Sequence, residues 1–478
     1  MSLRDIHLIA IGGTGMAPLA CLLKDQGHRV RGSDRPLYPP MSTLLEAAGI
    51  QPMVGFDPAH LEPRPDLVVV GNAVHRDNPE AVEAERLHGE GALERISMPQ
   101  ALWRFFLQSR HRVVVAGTHG KTTTTAMAAW TWSECGADPS YLVGGLPKDL
   151  PQSFHEGRGQ DFVVEGDEYN AAYFDRGPKF LHYKPDTLVL TSVEYDHADL
   201  YPSYGDLLEA YGTLVSKLPP SGLLVANGDA PEVRKLAWRA SCPVVFYGLA
   251  RGTDVAPDGE VEMGPDGSRL TLVGRDGERA RLHLAVPGRH NVSNALAVWA
   301  AARSRGLPAD AVARALGTFR GVARRLDELG TGAGVVVVDD FAHHPTAVAE
   351  SLAALRRRYP GRRLVALFEP RSLTAGRSFL REAYGQAFRR ADRVLFAPVF
   401  HAGRLAPEER IDLAALAGDL AETGVEAESC PSTDAVAERA LGEAREGDVL
   451  VTMSSGSFDR MPHRLLETLR ERERTASR

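Results

Sequence analysis

A glycine-rich turn constrains the fold of this chain more than any other part of its sequence. It consists of Gly117, Thr118, His119, Gly120, Lys121, Thr122 and Thr123. The turn follows a strand pattern at residues 112–115, of which 113–115 are valines, and precedes a helical pattern; this order predicts the strand, loop and helix of a P-loop. In such a loop, backbone N–H groups face phosphate oxygens, Lys121 contacts the terminal phosphates and the Thr122 hydroxyl binds Mg²⁺. The match is partial, because Val115 stands where the full pattern has its first glycine.

Two acidic clusters follow apolar runs in the same region. Glu165 closes the run 161–164, and a cluster around Asp196 and His197 follows the run 187–190. The carboxyl ends of strands are where α/β sheets bind ligands, and Mg²⁺ prefers oxygen ligands. Either cluster alone is equally compatible with a solvated acidic loop. Their joint presence in a chain with a P-loop favours a metal site.

Strand and helix patterns alternate along the chain, which predicts an α/β protein with mainly parallel sheets covered by helices. At roughly 100–200 residues per domain, 478 residues correspond to about three domains. We place the domains at residues 1–109, 110–325 and 326–478, with the first boundary in 103–111. The glycine- and aspartate-rich stretch 254–286 predicts a small antiparallel sheet.

The N-terminal segment contains a second glycine turn. Residues 13–16 open a helix after the first predicted strand, and Asp34 ends the next strand. This pattern resembles a dinucleotide fingerprint, so a dehydrogenase is one interpretation. Pro18 occupies the third glycine position, however, and a partial fingerprint has low specificity. The same contacts suit the diphosphate of another nucleotide, so the rest of the chain must decide between them.

Composition argues against several classes of protein. The formal net charge of −7 is unlike that of a protein with a broad nucleic-acid-binding face. The four cysteines are far apart, which argues against a zinc site or a disulfide framework. No stretch approaches the about 20 apolar residues of a membrane span, and the N-terminus lacks a signal-peptide pattern. We therefore predict a cytoplasmic protein that acts on small molecules and binds neither nucleic acid nor membrane.

Five motifs, taken in order, resemble those of the Mur ligases of peptidoglycan synthesis. They are residues 117–123, 165–168, 196–197, 288–295 and 339–345, and the resemblance covers essentially the whole chain. It implies an N-terminal Rossmann-like domain for a UDP-sugar, a central P-loop ATPase-like domain and a C-terminal Rossmann-like domain for an amino acid or peptide. It also implies ADP-forming ligation of a muramyl carboxylate to an amine through an acyl phosphate. The cofactors implied are ATP and two magnesium ions.

The resemblance further implies a set of site residues. Those implied for ATP are Gly117, Thr118, His119, Gly120, Lys121, Thr122, Thr123, His290, Asn291, Asn294, Arg325 and Asp340. Those implied for the UDP-sugar are Gly13, Thr14, Gly15, Met16, Ser33, Asp34, Gly71 and Asn72. The implied metal ligands are Thr122, Glu165 and His197, and the implied catalytic residues are Lys121, Glu165, His197 and Asp340. The implied peptide-binding residues are His344 and Arg371.

Some of these residues have structural alternatives. Asn294 could be a helix cap, or its side-chain amide could be buried in the core with its hydrogen bonds satisfied. His343 and His344 are candidates for the base that takes a proton from the attacking amine, or they could cap the helix that Pro345 begins. Arg371 follows a predicted strand and suits a carboxylate, because guanidinium and carboxylate groups pair through two hydrogen bonds.

Two members of the family use UDP-N-acetylmuramate as acceptor. One adds L-alanine, and the other adds L-alanyl-γ-D-glutamyl-meso-diaminopimelate in peptidoglycan recycling. Residues 165–183, 71–74 and 368–372 resemble the tripeptide ligase, whereas the turn 11–16 is closer to the L-alanine ligase. We therefore predict the tripeptide ligase, with the L-alanine ligase as the alternative. A non-catalytic nucleotide-regulated binding protein is the alternative of another class, and the oligomeric state could be monomer or dimer.

Overall fold

The computed structural model describes residues 3–476 and forms three α/β domains, each built on its own mainly parallel sheet. The predicted three-domain α/β architecture is confirmed. The chain divides into two compact units. The first comprises the chain up to Val193 together with Leu208–Val255 and Ala297–Val312, and the second comprises Glu194–Leu207, Ala256–Leu296 and the chain from Ala313 onward. Within the described residues, no helix is long and apolar enough to span a membrane.

The N-terminal domain contains a five-stranded parallel sheet. Its strands are β1 (Asp5–Ile9), β2 (Arg29–Asp34), β3 (Met53–Val54), β4 (Leu67–Val70) and β5 (Glu94–Ser97), and its helices are α1 (Met16–Asp25), α2 (Met41–Ala47), α3 (Pro79–Gly89) and α4 (Met98–Leu102). The strand order is β3-β2-β1-β4-β5. The order reverses between β1 and β4, and such a switch point is where α/β sheets bind nucleotides. The N-terminal glycine turn, residues 13–16, follows β1 at this point.

The central domain contains a seven-stranded sheet and an additional hairpin. Its strands are β6 (His111–Ala116), β7 (Ser140–Leu142), β8 (Phe154–His155), β9 (Asp161–Gly166), β10 (Asn170–Ala172), β11 (Asp175–Pro178), β12 (Thr187–Leu190), β13 (Leu223–Asn227) and β14 (Val244–Tyr247). Its helices in this part are α5 (Lys121–Glu134), α6 (Phe180–Tyr183), α7 (Tyr204–Ser216) and α8 (Pro231–Ala237). The sheet order is β14-β13-β12-β6-β9-β7-β8, parallel except for β8. The P-loop strand β6 therefore lies between β12 and β9.

The predicted antiparallel sheet in the stretch 254–286 is also confirmed. It consists of β15 (Ala256–Pro257), β16 (Glu262–Gly264), β17 (Gly267–Val273) and β18 (Arg279–Leu284), followed by α9 (Arg289–Ser304) and α10 (Ala309–Thr318). The segment predicted as the first domain boundary begins with a turn of π-helix, Trp103–Leu107, in which Phe105, Phe106 and Leu107 are buried. That turn is part of the packed structure and not a solvated linker.

The C-terminal domain contains a six-stranded sheet covered on both faces. Its strands are β19 (Asp327–Gly332), β20 (Val335–Asp340), β21 (Leu364–Phe368), β22 (Arg393–Phe396), β23 (Glu426–Ser429) and β24 (Val449–Met453). Its helices are α11 (Pro345–Arg358), α12 (Arg381–Ala387), α13 (Leu413–Glu422), α14 (Thr433–Glu443) and α15 (Met461–Ala476). The order is β19-β20-β24-β21-β22-β23, and only the edge strand β19 is antiparallel. Val336 and Val338 pack in one core, and Val335 and Val337 pack in the other, as expected for a sheet with two buried faces.

The hairpin β10–β11 is a feature that the sequence analysis did not predict. Its turn docks on the N-terminal domain, where the Arg95 guanidinium carbon lies 3.6 Å from the centroid of the Phe174 ring. Arg95 also donates a hydrogen bond to the Tyr173 hydroxyl at 3.0 Å, and the Ser97 hydroxyl donates to Asp175 at 3.2 Å. The hairpin therefore accounts for the length of the segment 165–183.

A buried carboxylate connects several elements of the N-terminal domain. Glu80, in the first turn of α3, is fully buried and contacts the imidazoles of His7 and His60. Its carboxylate also accepts hydrogen bonds from the Ser33 hydroxyl and from the Asp57 N–H group. Burial alone would raise the pKa of Glu80, but the hydrogen bonds from His7 and Ser33 outweigh it and hold the pKa below its usual range. Glu80 is therefore charged at neutral pH and joins β1, β2 and the loop before β4.

Replacing this carboxylate should destabilise the protein in a pH-dependent way. We expect Glu80→Ala to lower the free energy of unfolding by about 3 kcal/mol at neutral pH, because it leaves buried polar partners unpaired. The folded pKa is depressed, so this contribution is present above the unfolded pKa of about 4.3 and is lost as the pH falls through the folded pKa. Urea unfolding of wild type and variant at neutral and acid pH measures the difference.

The matched control is Glu83→Ala on the same helix. Glu83 forms an ion pair with Arg86, whose side chain is half exposed, so its loss should leave the unfolding transition nearly unchanged. Equal effects of the two substitutions at neutral pH would contradict the role given to Glu80.

Candidate nucleotide and metal site

The P-loop is fixed by glycines that approach a neighbouring strand. Gly117 (φ 133°) and Gly120 (φ 80°) both adopt left-handed backbone conformations that glycine tolerates best. A side chain at position 117 would overlap Thr191 and Ser192, which follow β12. The Thr118 N–H group donates to the Ser192 carbonyl at 2.9 Å. The loop therefore takes its shape from its contact with the segment after β12.

Lys121 begins α5 and lies among oxygen atoms. Its ammonium group donates to the Gly117 carbonyl at 2.7 Å and to the Glu168 carboxylate at 2.9 Å. Burial alone would lower the pKa of Lys121, but the carboxylates of Glu168, Asp167 and Glu165 raise it above its ordinary value. The lysine is therefore a partly buried, charged cation beside the loop. A cation in this position is what the terminal phosphates of a nucleotide require.

Thr122 and Glu165 form a pair of oxygen ligands suited to magnesium. The Thr122 hydroxyl donates to the Glu165 carboxylate at 3.0 Å, and the Gly144 N–H group donates to the other carboxylate oxygen at 3.0 Å. Octahedral Mg²⁺ binds oxygen at about 2.1 Å, so two adjacent ligand oxygens lie about 3.0 Å apart. The observed separation equals that value. The two predicted ligands in the first unit are thus brought together in a geometry that fits the ion.

The predicted UDP-binding residues lie at the carboxyl edge of the N-terminal sheet. The turn of Gly13, Thr14 and Gly15 leads into α1 at Met16, and Thr14 is exposed. The carboxylate of Asp34 accepts from the Gly12 N–H group at 2.8 Å, so it holds the turn in place. These positions agree with anion binding at the start of a helix. The nucleotide role of these residues remains a prediction.

Ser33, Gly71 and Asn72 differ from one another in their surroundings. The Ser33 side chain is buried and its hydroxyl donates to Glu80, so only its backbone faces the glycine turn, where its carbonyl accepts from Ile11 N–H at 3.0 Å. The Gly71 N–H group donates to the Ile9 carbonyl at 3.1 Å, and Asn72 is exposed. A side-chain contact of Ser33 with a ligand is therefore not available in this structure.

A cleft of about 420 Å³ lies between the residues after β4 and the hairpin β10–β11. Its polar lining consists of Asn72, His75, Arg76, Asn170, Tyr173 and Arg176. Arg76 and Arg176 are exposed cations on opposite elements. Among these residues only Asn72 was predicted from the sequence, and the hairpin that carries Asn170, Tyr173 and Arg176 was not predicted.

In the second unit, Asp340 organises the segment that was predicted to contact ATP. It ends β20, and its carboxylate accepts from the Leu326 N–H group at 2.7 Å and from the Ala342 N–H group at 2.6 Å. Burial raises the pKa of Asp340 in spite of these bonds. The Arg325 guanidinium carbon lies 4.4 Å from the centroid of the Phe341 ring. The backbone bonds indicate that Asp340 positions the loop that carries Arg325.

Three residues predicted to bind ATP, and by the family resemblance its adenine, lie in the first turns of α9: His290, Asn291 and Asn294. The Asn291 side chain donates to the Pro287 carbonyl at 2.7 Å, and the Asn294 side chain donates to Asn291 at 3.2 Å. Both amides are buried, and the His290 imidazole lies 3.7 Å from Glu350. Asn294 lies inside the helix and does not cap it. The contact of this segment with adenine stays a prediction.

The segment of His197 is held by the C-terminal domain within the same unit. His197 has a left-handed backbone (φ 53°), and the next residue, Ala198, donates its N–H to the Thr374 hydroxyl at 3.0 Å. Burial alone would raise the pKa of Asp196, but His197, His343 and the neighbouring His344 hold it well below its usual range. The predicted metal histidine is therefore fixed by contacts that lie far away in the sequence.

His344 and Arg371 are the predicted peptide-binding residues. His344 precedes α11 but its side chain forms no capping hydrogen bond, and its imidazole lies 3.6 Å from Glu194. Arg371 follows β21 at the carboxyl edge of the C-terminal sheet, 3.5 Å from the carboxylate of Glu369. The capping alternative for the His344 side chain is thus not observed.

The site residues are distributed over the two units. The first unit contains the glycine turn, the P-loop, Thr122 and Glu165, and the second contains His197, the start of α9, Asp340 and Arg371. Within each unit, most of these residues lie at the carboxyl edges of parallel strands, whereas the start of α9 follows the antiparallel strand β18.

Removing the P-loop cation should abolish nucleotide-dependent activity without unfolding the protein. We expect Lys121→Ala to lower ATP-dependent turnover by roughly 10²–10³, because developing negative charge on the phosphates loses its partner. The control is Lys235→Ala, an exposed lysine paired with Glu232 on α8, which should keep wild-type turnover. Steady-state ADP release measures both variants. Wild-type activity in Lys121→Ala would exclude the P-loop assignment.

Three consecutive segments of the chain match models of known domains. Residues 5–102 match the catalytic domain of the Mur ligase family, residues 115–302 match the Mur ligase middle domain, and residues 324–456 match the Mur ligase glutamate ligase domain. These matches include the N-terminal glycine turn, the P-loop with Glu165 and His197, and the segment of Asp340.

Similar proteins cover nearly the whole chain. The UDP-N-acetylmuramate–L-alanyl-γ-D-glutamyl-meso-2,6-diaminoheptandioate ligase of Escherichia coli is 38% identical, covering 98% of this chain and 99% of that protein. The UDP-N-acetylmuramate–L-alanine ligase of Rubrobacter xylanophilus is 36% identical, covering 97% and 100%. The crystal structure of a murein peptide ligase from Psychrobacter arcticus has a TM-score of 0.72 and 33% identity, covering 98% and 99%. The chain belongs to the Mur ligase family.

Proposed function

We propose that this ATP-dependent, ADP-forming ligase joins the carboxylate of UDP-N-acetylmuramate to the amine of L-alanyl-γ-D-glutamyl-meso-diaminopimelate, as in peptidoglycan recycling. The observation that carries the choice of amine is Arg371 at the carboxyl edge of the C-terminal sheet, where a peptide carboxylate can pair with it. The 38% identical E. coli relative, which is named for the same substrates, supports this choice.

The reaction must first activate a carboxylate, whose leaving group would otherwise be an oxide. The carboxylate oxygen attacks the γ-phosphorus of ATP, the bond to ADP breaks, and an acyl phosphate forms. The amine nitrogen then attacks the acyl carbon, and the bond to phosphate breaks after a tetrahedral intermediate, with loss of one proton from nitrogen. Positioning and charge neutralisation supply most of the catalysis in such phosphoryl transfers.

The residues of the first unit fit the first step. Lys121 is a charged donor beside the P-loop and can bind the β- and γ-phosphate oxygens. The Thr122 hydroxyl and the Glu165 carboxylate would together hold one magnesium ion. Magnesium neutralises phosphate charge when it is bound there.

We also propose that His197 is a ligand of a second magnesium ion. Two anions, the acceptor carboxylate and the γ-phosphate, must approach each other, and their repulsion favours a cation between them. The fixed position of His197 on its segment, held by Thr374 through the next residue, supports a ligand role. Arg325 is proposed to contribute to ATP binding, with Asp340 positioning the loop that carries it.

The cleft between the residues after β4 and the hairpin would hold part of the UDP-sugar. It adjoins Gly71 and Asn72, which follow the strand next to the glycine turn. Arg76 and Arg176 give it the positive charge that an anionic sugar nucleotide requires. Because the reaction consumes ATP, we propose that the enzyme acts in the cytoplasm.

The L-alanine ligase is the second candidate for the amine. The relative from R. xylanophilus, which is named for L-alanine, is 36% identical, almost as similar as the tripeptide ligase of E. coli. A non-catalytic binding protein is disfavoured, because Lys121, Glu165 and His197 are all retained.

The amine preference can be measured directly. We expect kcat/KM for the tripeptide to exceed that for L-alanine by at least about tenfold, because a larger anionic substrate has more to gain from Arg371. Arg371→Ala should remove most of this preference and leave the KM for ATP unchanged. The exposed Arg389→Ala in the same domain is the control. If L-alanine is the better substrate in a side-by-side phosphate-release assay, the enzyme is the L-alanine ligase.

The second magnesium site can be tested by titration of the metal. We expect His197→Ala to raise the magnesium concentration for half-maximal turnover by at least about tenfold, since one ligand is lost. His463→Ala, an exposed histidine on α15, should give the wild-type curve. A wild-type titration curve for His197→Ala would rule out this histidine as a metal ligand.

A further inference from the structure

An exposed aromatic ring lies directly against the arginine proposed to bind the peptide. The Phe400 side chain is 50% exposed. The Arg371 guanidinium carbon lies 3.8 Å from the centroid of its ring. The Phe400 N–H group donates to the Pro370 carbonyl at 3.1 Å, which ties the loop after β22 to the loop after β21. Ring and guanidinium are therefore held together by the backbone of both loops.

Other contacts restrict Arg371 to the same position. The side chain lies against the backbone of Gly456, where a Cβ atom would overlap it. The buried Glu369 carboxylate lies 3.5 Å from the guanidinium and accepts from the Ser454 hydroxyl at 2.5 Å. Residues after β21, β22 and β24 thus surround one arginine.

The charge near this arginine is positive on the side of Phe400. His401 follows Phe400, and the exposed Arg404 lies on the same turn. Burial, Arg404 and Arg371 together lower the pKa of His401, in spite of the carboxylates of Asp199 and Glu369. An anionic group beside the ring would therefore meet the guanidinium groups of Arg371 and Arg404, and it would share Arg371 with the carboxylate of Glu369.

A free arginine side chain loses considerable conformational freedom when it binds a carboxylate. Stacking on an aromatic ring fixes the guanidinium plane before the ligand arrives. Phe400 is exposed and contributes little to the core. Its stacking on Arg371 would reduce the conformational freedom that the arginine loses on binding, which explains its position.

We propose that Phe400 is a positioning residue for the amine substrate, and that it acts by holding Arg371 ready for a carboxylate of the peptide. This inference rests on the proposed function, since it requires a peptide amine with a carboxylate beyond the reacting end. L-Alanine, with its single carboxylate next to the amine, would gain less from an arginine fixed in this way.

The test is a double-mutant cycle between Phe400 and Arg371, with the tripeptide as substrate. We expect Phe400→Leu to raise the KM for the tripeptide about five- to tenfold, with kcat at saturating peptide changed less than twofold. Phe400→Tyr, which retains an aromatic face, should restore the KM to within about twofold of wild type. In an Arg371→Ala background, Phe400→Leu should change the KM less than twofold, because the partner through which it acts is gone.

Several results would overturn the inference. A wild-type KM in Phe400→Leu contradicts it, as does the same fold increase with and without Arg371. Failure of the tyrosine to restore the KM also contradicts it, because the effect would then not depend on stacking. Wild-type enzyme that uses L-alanine but not the tripeptide overturns the proposed function and this inference together. If the enzyme uses the tripeptide but the effects of the Phe400 and Arg371 substitutions on KM are independent, only the role given to Phe400 is overturned.

Discussion

The parallel arrangement of the strands is the constraint on which most of the candidate site depends. In the main sheet of each domain, neighbouring strands run the same way apart from the edge strands β8 and β19, so the loops that leave the parallel strands emerge at one edge. This places the turn after β1 beside Gly71, the P-loop beside Glu165, and Arg371 beside the residues after β22 and β24. An antiparallel sheet would send alternate loops to opposite edges. The antiparallel strands of the three sheets, β8 and β19, lie at sheet edges and carry none of these residues.

A second constraint is the cluster of charged side chains beside the P-loop. Lys121 is surrounded by loop carbonyls and by the carboxylates of Glu165, Asp167 and Glu168. Such a cluster is expensive to bury unless its charges are paired or hydrogen-bonded, and here each carboxylate pairs with a lysine or accepts hydrogen bonds. The incoming triphosphate of the proposed substrate would bring new negative charge to the same lysine. Magnesium at Thr122 and Glu165 would then offset that charge, which explains why the proposed reaction needs the metal.

Local patterns in the sequence were sufficient for part of the site. Gly117, Gly120 and Lys121 follow a strand and precede a helix, so their geometry is set within a few residues. Glu165 was predicted from its place at the end of an apolar run, and the structure brings it to Thr122 at 3.0 Å. The succession of strand and helix patterns likewise predicted the three-domain fold and the small antiparallel sheet.

Contacts between distant segments could not be predicted in the same way. The bond from Arg95 to Tyr173 spans 78 residues, and the one from Ala198 to Thr374 spans 176. Nothing in the neighbourhood of either residue identifies its partner, because the partner is chosen by packing of whole elements. The Ser33 side chain is a further example, because its hydrogen bond to the distant Glu80 keeps it buried and away from the predicted UDP-sugar site.

The central claim is that a carboxylate is activated by transfer of the γ-phosphoryl group. It can be tested most directly with UDP-N-acetylmuramate whose carboxylate carries ¹⁸O, incubated with ATP, magnesium and the tripeptide. Mass spectrometry of the products then follows the label. We predict one ¹⁸O atom in each released phosphate, one retained in the new amide and none in ADP. Unlabelled phosphate, or label in AMP with release of pyrophosphate, would contradict the account.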